Sequence, residues 1–359
     1  MRLLFATGGT GGHIYPALAI AKAAQARSVE VAFIGQENGM EARIIPEAGF
    51  TFHPVSAGKW DRQRPDPRQG LRAAGGLVQA VRTVRRLRPA LVVGFGGFAS
   101  FPGVAAARLT GTPYLLHEGN AYPGRVTHLL KGGARAVAVS HAAARDRLQQ
   151  ARRVEVTGFP VREVRVEKSE ARKRLGLPEE GVLTFVMGGS QGSKILNETV
   201  PKVFEKMSGT TVLHSTGRRW LDAVRASTNR LEHYYTEGFV DATLAWSAAD
   251  LAITRAGIST LSEAAFHGVP TLMVPLPTAA ENHQLHNARA FAASGAGWVV
   301  EERDLGNLAE VWTRALNEEV RRKASAAALA LSPAGAASAF VDLIDTVLPP
   351  EPSTRLESA

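Results

Sequence analysis

Residues 3–13 read LLFATGGTGGH, and an alanine-rich periodic stretch from Pro16 to Ala26 follows them. The apolar run Leu3-Leu4-Phe5-Ala6 stops at Thr7 and four glycines, Gly8, Gly9, Gly11 and Gly12. Residues 29–34 are again apolar. Strand, glycine-rich turn, helix, strand is the opening of an α/β unit. The turn is not the dinucleotide fingerprint GxGxxG, because the third position holds Ile14, and no Lys-Ser/Thr pair makes it a P-loop. Its physical content survives the mismatch. Glycines let backbone approach a ligand closely, and a helix N-terminus behind them attracts negative groups.

The same pattern recurs along the chain. Apolar strands are expected at 91–93, 114–116 and 136–139, with helices at 77–88, 102–110 and 141–149 between them. Continuous rather than alternating apolar runs favour a parallel sheet covered on both faces. The charged stretch 162–174, preceded by Pro160, reads as a linker with a short amphipathic helix. A second series then opens at Leu183 and ends in Gly188-Gly189-Ser190-Gln191-Gly192-Ser193, with further strands at 211–215, 235–239, 251–254, 271–274 and 297–300. The expectation is an α/β chain of two Rossmann-like domains, 1–162 and 163–335, facing across a cleft, followed by a C-terminal helix and frayed tail at 336–359. A third glycine cluster, Gly94-Phe95-Gly96-Gly97, also follows a strand. Ligands of open α/β sheets bind outside that edge.

Composition bounds the chemistry. The 359 residues are 45% hydrophobic and 21% charged, the balance of a globular chain of about two domains. The absence of cysteine excludes disulfides, thiolate metal sites and a cysteine nucleophile. Net charge is +9, and 33 of the 42 basic residues are arginine, which suits nucleic acid, anionic lipid or phosphorylated ligands. No secretory signal and no 20-residue apolar run is expected, so the location read from sequence is cytoplasmic.

Polar groups cluster after the expected strands. His117-Glu118-Gly119-Asn120 follows 114–116, and Arg162 follows Gly158-Phe159-Pro160. Arg255-Ala256-Gly257-Ile258-Ser259-Thr260 leads into a helix carrying Leu261, Ser262 and Glu263, where a carboxylate can accept from both hydroxyls of a ribose. Glu281-Asn282-His283-Gln284 heads the next helix. His13, at the end of the glycine loop, has the proton affinity of a base near neutrality. HExxH and carboxylate clusters with metal spacing are absent from the sequence. Between Trp60 and Arg88 lie eight arginines, at 62, 64, 68, 72, 82, 85, 86 and 88, interleaved with Leu77, Val81, Val84 and Leu87 at helical spacing. The apolar set is first a buried face. The arginines suit an anionic lipid surface, and the scarcity of aromatic residues argues against nucleic acid.

Taken together, GGTGGHIYPALAIA at 8–21, GFGGFASFP at 94–102, HEGNAYPGRVTHLL at 117–130, GFPVR at 158–162, GGSQGSKILN at 188–197, RAGISTLSEAAFHGVP at 255–270 and AAENHQLHNA at 279–288 resemble, in order, the lipid II-forming N-acetylglucosamine transferases of glycosyltransferase family 28. The resemblance implies a GT-B fold and inverting, metal-independent transfer from UDP-N-acetylglucosamine to the C4 hydroxyl of the muramoyl sugar of lipid I, on the cytoplasmic face of the membrane, with no cofactor. It also implies roles. Thr10, Gly11, Gly12, Asn120 and Arg162 contact the donor, Ser190 the diphosphate, and Val240 the uracil through its backbone. Ile258, Ser259, Thr260, Leu261, Ser262 and Glu263 cradle phosphate and ribose, and Gln284 reaches sugar or diphosphate. His13 and Glu118 are rival bases, with His117 orienting the latter. Implied partners are the donor, lipid I, anionic lipid and other wall-synthesis proteins, and not nucleic acid. Phe98, Thr278 and Glu281 depart from the Tyr, His and Asp common in the family. The alternatives are a UDP-N-acetylglucosamine 2-epimerase, another GT-B transferase, a nucleotide-sugar sensor without turnover, and a Rossmann oxidoreductase; the last is disfavoured by Ile14.

Overall fold

The computed structural model describes residues 1–56, 67–189, 191–332 and 334–348. The chain forms two units, one of Met1–Gly119, Pro123–Pro160 and the chain from Gly335 on, the other of Asn120–Tyr122 and Val161–Ala334. Val161 and Arg162, expected in the first domain, fall in the second unit, as do Asn120, Ala121 and Tyr122.

The first unit is a seven-stranded parallel sheet of β1 (Arg2–Ala6), β2 (Glu30–Gln36), β3 (Thr51–Val55), β4 (Leu91–Gly94), β5 (Tyr114–Glu118), β6 (Val137–Val139) and β7 (Val154–Val156), in the order β3-β2-β1-β4-β5-β6-β7. Its helices are α1 (Gly11–Ala26), α2 (Glu41–Glu47), α3 (Pro67–Leu87), α4 (Gly97–Thr110) and α5 (Arg125–Leu130). Leu3 and Phe5 of β1 enter one buried cluster with Phe33, Leu91 and Val93, while Leu4 and Ala6 enter another with Ile34 and Val92. Neighbouring residues of a strand face opposite sides, so two covered faces require the unbroken apolar run that the sequence carries.

The second unit repeats the plan with six parallel strands: β8 (Leu183–Met187), β9 (Thr211–Ser215), β10 (Tyr234–Glu237), β11 (Leu251–Thr254), β12 (Thr271–Met273) and β13 (Gly297–Val299), ordered β10-β9-β8-β11-β12-β13. Its helices are α6 (Lys168–Arg174), α7 (Lys194–Phe204), α8 (Leu221–Thr228), α9 (Ala242–Ala248), α10 (Ile258–His267), α11 (His283–Ala293), α12 (Leu308–Leu316) and α13 (Glu318–Leu331). In each sheet the strand order reverses beside the first strand of its series, at β1/β4 and at β8/β11. Such switch points open a crevice at the strands' C-terminal ends.

The last helix, α14 (Ala336–Val347), returns to the first unit, where Phe340, Val341, Leu343 and Ile344 join the cluster containing Phe5 and Phe95. By composition the stretch Glu318–Val347 is apolar enough to cross a membrane. It is instead two helices, parted before Gly335 (φ 94°), with α13 packed on α10 and α14 on α1.

Two strands lie outside the sequence reading. Both β3 and β7 are edge strands whose side chains are mostly half-buried or exposed, so they lack an apolar run. The helix expected at 141–149 is a 3-10 helix, Ala142–Arg147. The helix from Pro67 to Leu87 buries Val84 and half-buries Leu77, Val81 and Leu87 against the core, as their spacing required.

Candidate functional site

At the first switch point the glycine loop runs from Thr7 to Thr10, and α1 starts at Gly11. A carboxylate lies beneath it. Glu41, the first residue of α2, has no exposure, and it accepts from Gly9 N at 3.1 Å and Gln36 N at 3.0 Å. Gly8 (φ +146°) has no room for a side chain, since a Cβ there would overlap the Glu41 carboxylate. The loop is thus fixed from below, and Gly9 N–H is already committed. Glu41 escaped the sequence reading because its one signal, an acid in a first helical turn, is also the ordinary signature of a helix start.

Thr10 caps α1 through its backbone, and its Oγ1 lies 3.1 Å from His13 Nδ1. The His13 ring lies against Gly96 and Gly97, where a Cβ on Gly97 would stand 3.0 Å from His13 Cε1. Two of the three glycine clusters therefore meet at this imidazole. The loop is flanked by Tyr15, 57% exposed, and Phe98, 38% exposed, whose rings face Gly11 and Gly9.

His117 and Glu118 part company. Along β5 they point to opposite faces. His117 lies among Phe95, Phe159 and Phe340, with Nε2 3.4 Å from Ser140 Oγ. Burial, and then the nearby His13, hold its imidazole down at about 3. Glu118 Oε2 accepts from Gly124 N at 2.9 Å and from Thr127 Oγ1 at 2.7 Å, so it braces the start of α5. His117 does not orient Glu118; the alternation of the strand prevents it.

The second switch point is built from the loops after β8 and β11. Gly192 (φ +72°) is required there, because a Cβ would stand 1.8 Å from the Thr216 carbonyl oxygen. Ser190 lies outside the described residues. The start of α10 is capped by Gly257 with no side-chain hydrogen bond, which leaves its first-turn N–H groups to other acceptors. Ile258, Ser259 and Thr260 are half-buried, whereas Leu261 and Ser262 turn into the core. Glu263 is half-buried, and its Oε2 accepts from Trp246 Nε1 at 3.0 Å. Burial pushes this carboxyl's pKa up, and the indole N–H opposes that shift. The Val240 side chain packs into the same buried cluster as Trp246.

Beyond it, Gln284 Oε1 accepts from Leu276 N at 2.9 Å. Arg255 pairs with Glu302 at 2.7 Å and donates to the Val274 carbonyl at 3.1 Å. Glu281 and Asn282 are both left-handed, at φ 53° and 54°, just before α11. That conformation is uncommon for residues other than glycine. Thr278 and Arg162 are exposed. Asn120 Oδ1 accepts from Asn287 Nδ2 at 3.2 Å, and Asn287 Oδ1 accepts from Ala121 N at 3.0 Å. Asn287, 2% exposed, was absent from the sequence reading although it lies within a motif quoted there. Among the described residues no group of three His, Cys, Asp or Glu is arranged for a metal ion.

Comparison with known proteins fits this architecture. The glycosyltransferase family 28 N-terminal domain matches residues 3–139, and the family 28 C-terminal domain matches 183–347. The chain is 45% identical to a UDP-N-acetylglucosamine--N-acetylmuramyl-(pentapeptide) pyrophosphoryl-undecaprenol N-acetylglucosamine transferase of Deinococcus deserti, covering 97% of this chain and 99% of the relative. A Thermus thermophilus protein of the same name is 43% identical, over 96% and 100%. The crystal structure of Acinetobacter baumannii MurG matches with a TM-score of 0.80 at 27% identity, over 96% of this chain and 99% of that one. A putative UDP-N-acetylglucosamine 2-epimerase of Listeria monocytogenes shares the fold alone, at TM-score 0.69 and 14% identity. The chain belongs to glycosyltransferase family 28, among its UDP-N-acetylglucosamine–N-acetylmuramyl-(pentapeptide) pyrophosphoryl-undecaprenol N-acetylglucosamine transferases.

Proposed function

We propose that this chain transfers N-acetylglucosamine from UDP-N-acetylglucosamine to the muramoyl sugar of lipid I, giving lipid II and UDP in peptidoglycan synthesis. The observation that carries the reading is the near full-length identity to transferases of that name, combined with glycine-rich strand ends at both switch points. The 2-epimerase alternative rests on a shared fold alone.

The reaction is read as direct displacement with inversion. The acceptor's C4 hydroxyl oxygen bonds to the anomeric carbon as the bond to the diphosphate breaks, and the bonding pair leaves with UDP. The hydroxyl proton goes to His13. With Nδ1 donating to Thr10 Oγ1, Nε2 carries the lone pair that takes it. Glu118 is the weaker base, since Oε2 is engaged by Gly124 and Thr127. In the second unit, the first-turn N–H groups of α10 face the donor phosphates and Glu263 accepts from the ribose hydroxyls. Leu261 and Ser262 would contribute backbone only, because their side chains are buried. Thr10, Gly11, Gly12, Asn120, Arg162, Ser190, Val240 and Gln284 complete the proposed donor set.

Membrane docking is read at the first unit. Arg72, Arg82, Arg85, Arg86 and Arg88 are exposed on and just after α3. Exposed Val78 and Leu109 on the adjoining α3 and α4, and Leu129 on α5, supply apolar contact. Each arginine adds about 1 kcal/mol near an anionic surface.

The test is transfer of labelled N-acetylglucosamine to a short-chain lipid I analogue in EDTA. Wild type retains transfer. His13→Ala loses about 10²–10⁴-fold in kcat with UDP affinity unchanged. Donor binding without any transfer to lipid I would overturn the acceptor assignment.

A further inference from the structure

We infer that Trp246 is a positioning residue for nucleotide recognition: its indole N–H fixes one oxygen of Glu263, so that the other is presented to the ribose. This rests on the reading of Glu263 as the ribose acceptor. Glu263 lies in the second turn of α10, and Trp246 lies one helix earlier, on α9. Trp246 Nε1 donates to Glu263 Oε2 at 3.0 Å. The donor itself cannot shift. Trp246 is 1% exposed, and its ring meets Phe185 of β8 edge-on at 5.0 Å and 88°. Ala245, Ala248, Val240 and Ala264 pack around it in the same cluster.

Three physical consequences follow. Indole is a donor only, so this contact favours the acceptor form of the carboxylate that two hydroxyls need. A carboxylate on a flexible side chain would sample several rotamers; one bond to an immobile ring removes that freedom before the ligand arrives. The bond also satisfies Oε2 and leaves Oε1 for the ligand. Discrimination between ribose and deoxyribose then depends on a residue that touches neither.

Binding of UDP and of 2′-deoxy-UDP is measured by calorimetry on four full-length proteins: wild type, Trp246→Phe, Glu263→Ala and the double variant. Trp246→Phe keeps an aromatic ring on Phe185 and removes the donor. The expected result is a loss of about fivefold to tenfold in UDP affinity for Trp246→Phe, a narrower preference for UDP over 2′-deoxy-UDP, and no further loss when the change is made in Glu263→Ala. Should Trp246→Phe misfold, β-(3-benzothienyl)alanine at 246 replaces the N–H by sulfur with the ring shape retained, and the same values are read. An equal loss in both backgrounds, or no loss in wild type, overturns the inference, because packing alone would act independently of Glu263. Unchanged UDP affinity in Glu263→Ala alone overturns the ribose reading, and the role of Trp246 with it.

Discussion

Glu41 and His117 are buried for opposite reasons, and each makes a prediction. Glu41 works as an acceptor for two backbone N–H groups. In Glu41→Gln one of those N–H groups would meet an amide NH2, and a buried donor left unpaired costs about 1–3 kcal/mol. Denaturant melts should show that loss, together with a fall in kcat, because the loop it supports carries Thr10, whose hydroxyl meets His13. His117 is held neutral among aromatic rings with its pKa at about 3, and burial also holds His214 at about 3. Both folded values lie below the unfolded value of about 6.5. As pH falls from about 6.5 toward 3, the unfolded chain therefore binds protons that the folded chain refuses, and stability drops. At pH 5 the loss is about 2 kcal/mol for each histidine. Urea midpoints at pH 7 and pH 5 check this, and His117→Gln with His214→Gln should flatten the difference.

Elements hold their places through a few anchoring groups. The seven-residue helix α6 is too short to persist alone. Arg172, 3% exposed, donates from it to the carbonyls of Ala248, Glu179 and Gly181 and pairs with Asp250 at 2.7 Å. Asp250 in turn accepts from Leu183 N at 2.8 Å and pairs with Lys168. Removing one partner of such a buried pair costs about 3–5 kcal/mol. Arg172→Ala should lower the denaturation midpoint accordingly, with little sensitivity to salt. Helix α3 is the contrasting case. Its apolar stripe packs on the core and leaves Val78 exposed, so lipid binding would rest mainly on charge. Arg82→Glu, Arg85→Glu and Arg86→Glu together should abolish sedimentation with anionic vesicles while transfer to a soluble acceptor analogue persists. Legibility in the sequence follows the same division. Central strands such as β1, β4 and β8 were readable because both faces are buried. Edge strands β3 and β7 were not, because most of their side chains are half-buried or exposed. His13 and Glu263 stood at motif positions. Glu41 and Trp246 did not, because their partners lie far off in sequence: Glu41 bonds Gly9 across 32 residues and Trp246 bonds Glu263 across 17.

On the scale of the whole molecule, two copies of one sheet plan account for both switch points, and the sequence echo between the halves already carried that plan. The destination of α14 was not legible, because an amphipathic helix states that it has a buried face but not which core receives it. Phe340 has no exposure and its ring lies 6.1 Å from that of Phe95. Phe340→Ala should cost about 3–5 kcal/mol, and the loss should appear in the unfolding of the first unit rather than the second. The return of α14 also sets an order of events in time. Residues 161–334 supply all but three residues of the second unit, so nearly all of its chain has emerged before α14 does. The unit synthesised first must wait for residues 336–347 to cover the ring cluster beside His117. On the ribosome, the proposed donor module would mature before the module that carries the proposed base, and the nascent first sheet would be the part most in need of chaperone protection.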